Sequence, residues 1–177
     1  KPISFEVFAD QPNEMLKQAY KINKWGKNVY VKVPVLNSKG KFMGKVIKEL
    51  NNKNIKINIT AVYTVRQVKK ILKCLNKKTK SIISIFAGRM ADKGVDPVPI
   101  FKKSIFLKKR FKNVEILWAS TREVYNVFDA ISFGCNIITI PDGVLKKLKL
   151  IGKNLTDFSL ETVQMFRSDA LNSGIQL

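Results

Sequence analysis

The chain has 177 residues, 45% of them hydrophobic, which suffices for one domain spanning 1–177 with a substantial core and is too short for two ordinary ones. It carries a formal charge of +20 and no histidine, and this excludes a Ser-His or Cys-His nucleophile, His-ligated zinc and an imidazole proton shuttle. The acid–base groups of any enzyme built on it have to be carboxylates, lysines, tyrosines, thiols or bound water.

Taken in chain order, short β-branched runs alternate with stretches of helical period. Ile3 to Phe8 predicts a first strand, and Asp10-Gln11-Pro12 signals the start of a helix over Glu14 to Trp25. Strands over Val29 to Val35, Ile57 to Val62 and Ser81 to Phe86 follow, separated by helices over Gly40 to Leu50 and over Val65 to Leu75, the latter opened by Thr64. Asp96-Pro97 opens a helix over Val98 to Phe111, and a strand over Val114 to Ala119 precedes a helix over Glu123 to Phe133. The sixth strand is Asn136 to Ile140, followed by a helix over Val144 to Leu150. Ser159 to Ala170 places Leu160, Val163 and Phe166 on one face and predicts a terminal helix packed on a neighbouring surface.

Regular βα alternation implies a parallel sheet under helices, either doubly wound or closed into a barrel. The two-residue period decides between them. Ser4, Glu6 and Phe8 share one face of the first strand, Tyr30, Lys32 and Pro34 one face of the second, and Asn58, Thr60 and Val62 one face of the third. Ile82, Ser84 and Phe86 fall together on the fourth, and Ile116, Trp118 and Ser120 on the fifth. Polar groups thus converge on one side towards the strands' C-terminal halves, where a barrel mouth holds its chemistry, whereas a doubly wound sheet would bury them under helices. No Gly-rich dinucleotide loop follows any strand. The expected fold is a (β/α)8 TIM barrel with a C-terminal helix. Six units are visible where eight are needed, so about two N-terminal βα units are expected to be missing.

Lys32 is the sharpest chemical signal. Flanked by Tyr30, Val31, Val33 and Val35 in a central strand, its amine is expected to be desolvated and pushed towards the neutral nucleophile that condenses with a ketone; the competing reading is a lysine snorkelling past Pro34 into water. Glu6 and Thr60 lie on the adjacent strands of the same face. They fit a water-holding proton relay and, equally on these grounds, a plain Glu6–Lys32 ion pair. Arg89 and Arg122 each sit just beyond a strand end, where with the Ser120 hydroxyl they are expected to form a phosphate site; the competing reading is surface salt-bridging. Arg66, Arg110 and Arg167 read as solvated helix positions.

The charge invites a nucleic-acid interpretation, but the 33 basic residues are 28 Lys and 5 Arg dispersed along the chain, unlike the clustered, arginine-rich surfaces of nucleic-acid readers. No stretch approaches the roughly 20 apolar residues of a membrane span, and the expected compartment is the cytoplasm. Cys74 and Cys135 lie in apolar surroundings without metal-ligand spacing and read as reduced, buried thiols.

These motifs resemble those of the transaldolases. Tyr30-Val31-Lys32-Val33-Pro34-Val35 resembles their Schiff-base lysine strand, Ser4-Phe5-Glu6-Val7 their glutamate strand and Asn58-Ile59-Thr60-Ala61 their threonine strand. Ser84 to Arg89 and Trp118 to Arg122 resemble the two phosphate-side motifs. The resemblance implies that Lys32 carries a dihydroxyacetone unit from a ketose phosphate, such as sedoheptulose 7-phosphate or fructose 6-phosphate, to an aldose phosphate in the pentose phosphate pathway. Glu6 and Thr60 would hold the catalytic water, and Ser84 and Phe86 would contact the substrate. Arg89, Ser120 and Arg122 would bind phosphate, with no metal or organic cofactor. The small members of the family often assemble through their C-terminal helix, so a homo-oligomer is possible. The family's aspartate shuttle and a substrate-contacting asparagine come from its first two strands and have no counterpart here, which leaves an unclosed barrel with an exposed sheet edge and the activity of these 177 residues alone an open question. Two alternatives stand beside transfer: fructose-6-phosphate aldolase cleavage, against which Glu6 and Phe86 tilt, and a basic nucleic-acid-binding protein.

Overall fold

Hydrophobic runs too short for helices pair side by side. β1 (Ile3–Glu6), β2 (Val29–Pro34), β3 (Ile57–Val62), β4 (Ser81–Phe86), β5 (Val114–Ala119) and β6 (Ile137–Ile138) form one parallel sheet in the order β1-β2-β3-β4-β5-β6, curled as a half-barrel. This is a computed structural model, and it describes residues 1–175. The chain divides into two compact units at Pro141/Asp142, and the sheet lies wholly in the first.

Each crossover in that unit is helical: α1 (Pro12–Asn23), α2 (Gly44–Asn52), α3 (Val65–Leu72), α4 (Ala87–Ala91) with α5 (Val98–Lys108), and α6 (Tyr125–Ser132). The sequence signals act locally as expected. Pro12 occupies the first turn of α1, and Thr64 caps α3 in a reciprocal box with Gln67, whose backbone N–H donates to the Thr64 hydroxyl at 3.1 Å. The five-residue α4 has no counterpart in the sequence reading, because it is too short to show a helical period.

The sheet separates two apolar clusters. Val31, Val33, Ile57, Ile59, Ile83, Ile85 and Ile116 point to the helices and pack with Met15, Ile47, Ile71 and Phe101 in the main core. Each fully buried aliphatic side chain contributes roughly 1.5–3 kcal/mol, so this layer dominates stability. On the other face Tyr30, Ile82, Leu117 and Ala119 form a smaller cluster.

Two face assignments made from alternation are corrected. Val62 belongs to the main core, because Ala61 adopts φ 57° and the β3–β4 register shifts between Ile59 and Val62, inserting one residue and reversing parity. Ile116 and Trp118 also face the helices, Trp118 stacking 4.5 Å from Phe101, so the inward residues of β5 are Leu117 and Ala119. Ser120 still reaches the inner side because its own φ of 66° breaks the alternation. Phe8, expected to extend the inward set of β1, lies beyond the strand and is 93% exposed. Both thiols are free but only partly buried, and burial pushes both above the ordinary cysteine range.

The second unit holds α7 (Asp142–Lys147), a 3₁₀ turn over Leu148–Leu150 and α8 (Leu155–Ser173). Asn154 caps α8 by accepting from the amides of Thr156 and Asp157, and Gly174 ends it at φ 68°. The predicted face of this helix exists, yet Leu160, Val163 and Phe166 are exposed rather than packed. Among the described residues no helix is long and apolar enough to cross a membrane.

Candidate active site

Parallel pairing aligns the polar positions of the first three strands. Glu6 stands opposite Lys32, Lys32 opposite Asn58, and Pro34 opposite Thr60. Side chains at paired positions share a face, so the register itself brings amine, carboxylate, amide and hydroxyl together. The Glu6 Oε2 atom lies 3.4 Å from Lys32 Nζ. The Lys32 side chain is 30% exposed, so the full desolvation expected from its apolar flanks is not realised: those valines face the helices, while Lys32 stands on the open, inner side of the half-barrel.

A cavity of about 610 Å³ opens on this inner face. Lys32, Thr60, Ser84 and Phe86 line it from β2, β3 and β4, and Arg89, Ser120 and Arg122 line it from the segments that follow β4 and β5. Seven of the eight residues singled out in the sequence therefore line one cavity. The eighth, Glu6, does not line the cavity but pairs with Lys32, which does, and its side chain is 42% exposed.

The floor is a hydrogen-bonded polar chain. Ser84 Oγ donates to Asn58 Oδ1 at 2.6 Å, and Asn58 Nδ2 donates to Ser4 Oγ at 3.1 Å. Asn58, which lines the cavity, is a position that sequence reasoning left unassigned, although a buried polar residue in register with Lys32 was the available signal. Thr60 differs from its neighbours. It is buried, lines the cavity, and its Oγ1 has no hydrogen-bond partner among the described residues. An orphaned buried hydroxyl is destabilising by about 1–3 kcal/mol unless a water or ligand satisfies it.

The cationic end depends on one close approach. α4 begins so near the end of β5 that a Cβ on Gly88 would lie 1.7 Å from the Ser120 carbonyl oxygen and 2.9 Å from Arg122 Cγ; only glycine fits there. Arg89, on α4, is exposed and its guanidinium stands 5.9 Å from the centre of the Phe86 ring. Arg122 donates from Nε and Nη2 to the two carboxylate oxygens of Asp92, at 3.2 and 2.6 Å. That pair holds the Asp92 carboxyl below, and the Arg122 guanidinium above, its ordinary range. Asp92 was not foreseen, because it follows the one helix the sequence did not reveal. Arg66, Arg110 and Arg167 are exposed and do not line this cavity. Among the described residues no three of His, Cys, Asp or Glu gather as a metal site.

The arrangement places an amine and a carboxylate at one end, hydroxyls and an amide along the floor, and two guanidiniums at the other end. Such a cleft fits a polyhydroxylated carbonyl compound bearing a terminal anion. Comparison with known proteins agrees with that chemistry. The model of the Transaldolase/Fructose-6-phosphate aldolase family matches residues 1–176. A probable transaldolase of Thermoanaerobacter sp. is 28% identical over 177 residues, covering 99% of this chain and 76% of that relative. One from Lactiplantibacillus plantarum is 35% identical over 163 residues, covering 89% and 71%. Among solved structures, an inosine 5′-monophosphate dehydrogenase of Legionella pneumophila aligns with a TM-score of 0.57 at 16% identity, over 81% of this chain and 44% of that one, a likeness of fold alone.

Proposed function

This chain belongs to the Transaldolase/Fructose-6-phosphate aldolase family, and from that premise we propose that it transfers a dihydroxyacetone unit between sugar phosphates through a Schiff base on Lys32. The observation that carries the reading is the juxtaposition at Lys32: a carboxylate 3.4 Å from its amine, and a buried Thr60 hydroxyl, without a partner among the described residues, lining the same cavity.

Lys32 Nζ adds to the C2 carbonyl of a ketose phosphate, and the carbinolamine loses water to give an iminium. The iminium accepts the electron pair of the C3–C4 bond, the C4 hydroxyl gives up its proton, and an aldose phosphate leaves. The enamine that remains attacks the aldehyde of a second aldose phosphate, and water then returns the new ketose and the free amine. We assign the proton transfers to a water held between Glu6 and Thr60, since Glu6 supplies the carboxylate beside the amine. Ser84 and Asn58 bind hydroxyls of the three-carbon unit, with Phe86 alongside. Arg89, Ser120 and Arg122 bind the phosphate of the substrate, where paired guanidiniums make charge-assisted contacts.

Incubation with fructose 6-phosphate and borohydride, followed by mass spectrometry, tests the proposal. The expected result is a stable adduct of one reduced three-carbon unit on Lys32, absent in Lys32→Ala. Wild-type protein without an adduct, coupled with salt-sensitive RNA binding, would overturn it in favour of a nucleic-acid role. Release of free dihydroxyacetone without transfer to an acceptor would assign the chain to simple aldol cleavage.

A further inference from the structure

Arg122 stands on the wall between two cavities, the one of about 610 Å³ at Lys32 and a neighbouring one of about 680 Å³. Asp92 lines only the second. It sits at the C-terminal end of α4, where its amide donates to the Gly88 carbonyl at 2.8 Å. Because Gly88 lets that short helix press against the end of β5, the Asp92 carboxylate reaches across 30 positions of sequence to Arg122.

The way the pair is made matters more than its existence. A guanidinium has two edges able to grip a planar or tetrahedral anion, one formed by Nε–H with an Nη–H and one formed by the two Nη groups. Asp92 takes the Nε–Nη2 edge and leaves Nη1, together with the second Nη2 hydrogen, without a partner among the described residues. One complete anion-binding edge thus stays available, on a side chain that lines the Lys32 cavity. The Arg122 backbone is fixed as well, its amide donating to Asn126 Oδ1 at 3.1 Å, so main chain and side chain are held independently.

We propose that Asp92 is a positioning residue for phosphate recognition: it holds Arg122 by one edge of the guanidinium so that the other faces the phosphate of the bound sugar. This rests on the reading of the Arg89–Arg122 end as the phosphate site. Both partners are half exposed, so the effect is modest, about fivefold in affinity for a well-aligned exposed pair.

The experiment compares wild type with Asp92→Ala and Asp92→Asn in three measurements. These are inorganic phosphate binding by calorimetry, KM and kcat for fructose 6-phosphate, and borohydride trapping of unphosphorylated dihydroxyacetone on Lys32. Expected are phosphate affinity weakened about fivefold, KM raised by the same factor with kcat unchanged, and dihydroxyacetone trapping unaffected in both variants. A general loss of structure would depress trapping as well, which separates positioning from folding. Phosphate bound by Asp92→Ala as tightly as by wild type, or more tightly, would overturn the proposal and make Asp92 a bystander or a competitor. Absence of dihydroxyacetone trapping in wild type would sink the Schiff-base reading alone, because phosphate binding still reports on Asp92.

Discussion

Replacement of Gly88 by alanine tests how the cationic end is built. The added methyl would lie 1.7 Å from the Ser120 carbonyl oxygen, whereas ordinary contact begins at 3.4 Å, so the separation has to double. The obstacle is backbone rather than the flexible end of a side chain, and relief requires α4 and the end of β5 to part. Two effects of opposite sign compete. Alanine is favoured over glycine in a helix by about 1 kcal/mol, while overpacking against rigid structure costs typically 1–3 kcal/mol and here falls at the upper end. The clash wins, and a net loss of about 2 kcal/mol lowers the urea midpoint by roughly 1 M at an m-value near 2 kcal/mol/M. Because Asp92 ends the same helix, the shift also breaks its two contacts to Arg122, and phosphate binding weakens together with stability. A Gly88→Ala protein that melts at or above the wild-type midpoint and binds phosphate normally would refute this account of the close approach.

Thr60→Val separates stability from chemistry. The hydroxyl removed has no partner within the described protein, so stability is expected to hold or rise by up to about 1 kcal/mol, while adduct formation on Lys32 slows about 100-fold; urea unfolding and trapping rates measure the two, and parallel losses in both would make Thr60 merely structural. The Asp92–Arg122 pair predicts a defined acid sensitivity. A carboxyl lowered in the folded state stabilises fully above its ordinary value of 3.8 and loses that contribution as pH falls through the depressed one, so the stability gap between wild type and Asp92→Asn should be constant at neutral pH and vanish in strong acid. A gap that widened on acidification would reverse the assigned sign.

The sheet was legible because its signal is redundant: three of six strands have the predicted ends, Ile57–Val62, Ser81–Phe86 and Val114–Ala119, each bounded by turn or cap residues. The site was legible for a related reason. Parallel register converts equal depth along adjacent strands into contact, so Glu6 and Lys32, grouped from spacing, stand in paired positions, and Thr60 lies two residues beyond the Asn58 that pairs with Lys32. What stayed hidden depends on single events that leave no periodic trace: a helix of five residues, a backbone approach at one glycine, and an aspartate whose partner lies on another strand's loop.

The two wrong faces have one physical cause. A regular strand cannot turn consecutive side chains to the same side, yet Ala119 and Ser120 both line the cavity. The left-handed backbone at Ser120 makes this possible, and that at Ala61 lets Thr60 face the cavity while Val62, two residues on, returns to the helix-side core. Such a conformation costs a non-glycine residue of order 1–3 kcal/mol and persists only where the surroundings over-determine it. Ala61 and Ser120 each follow a buried inner-face residue, Thr60 and Ala119, towards the C-terminal end of the strand. Alternation therefore fails where strand ends must serve core and cavity at once, and a departure from period two in an otherwise regular βα sequence marks the mouth more closely than any one polar residue does.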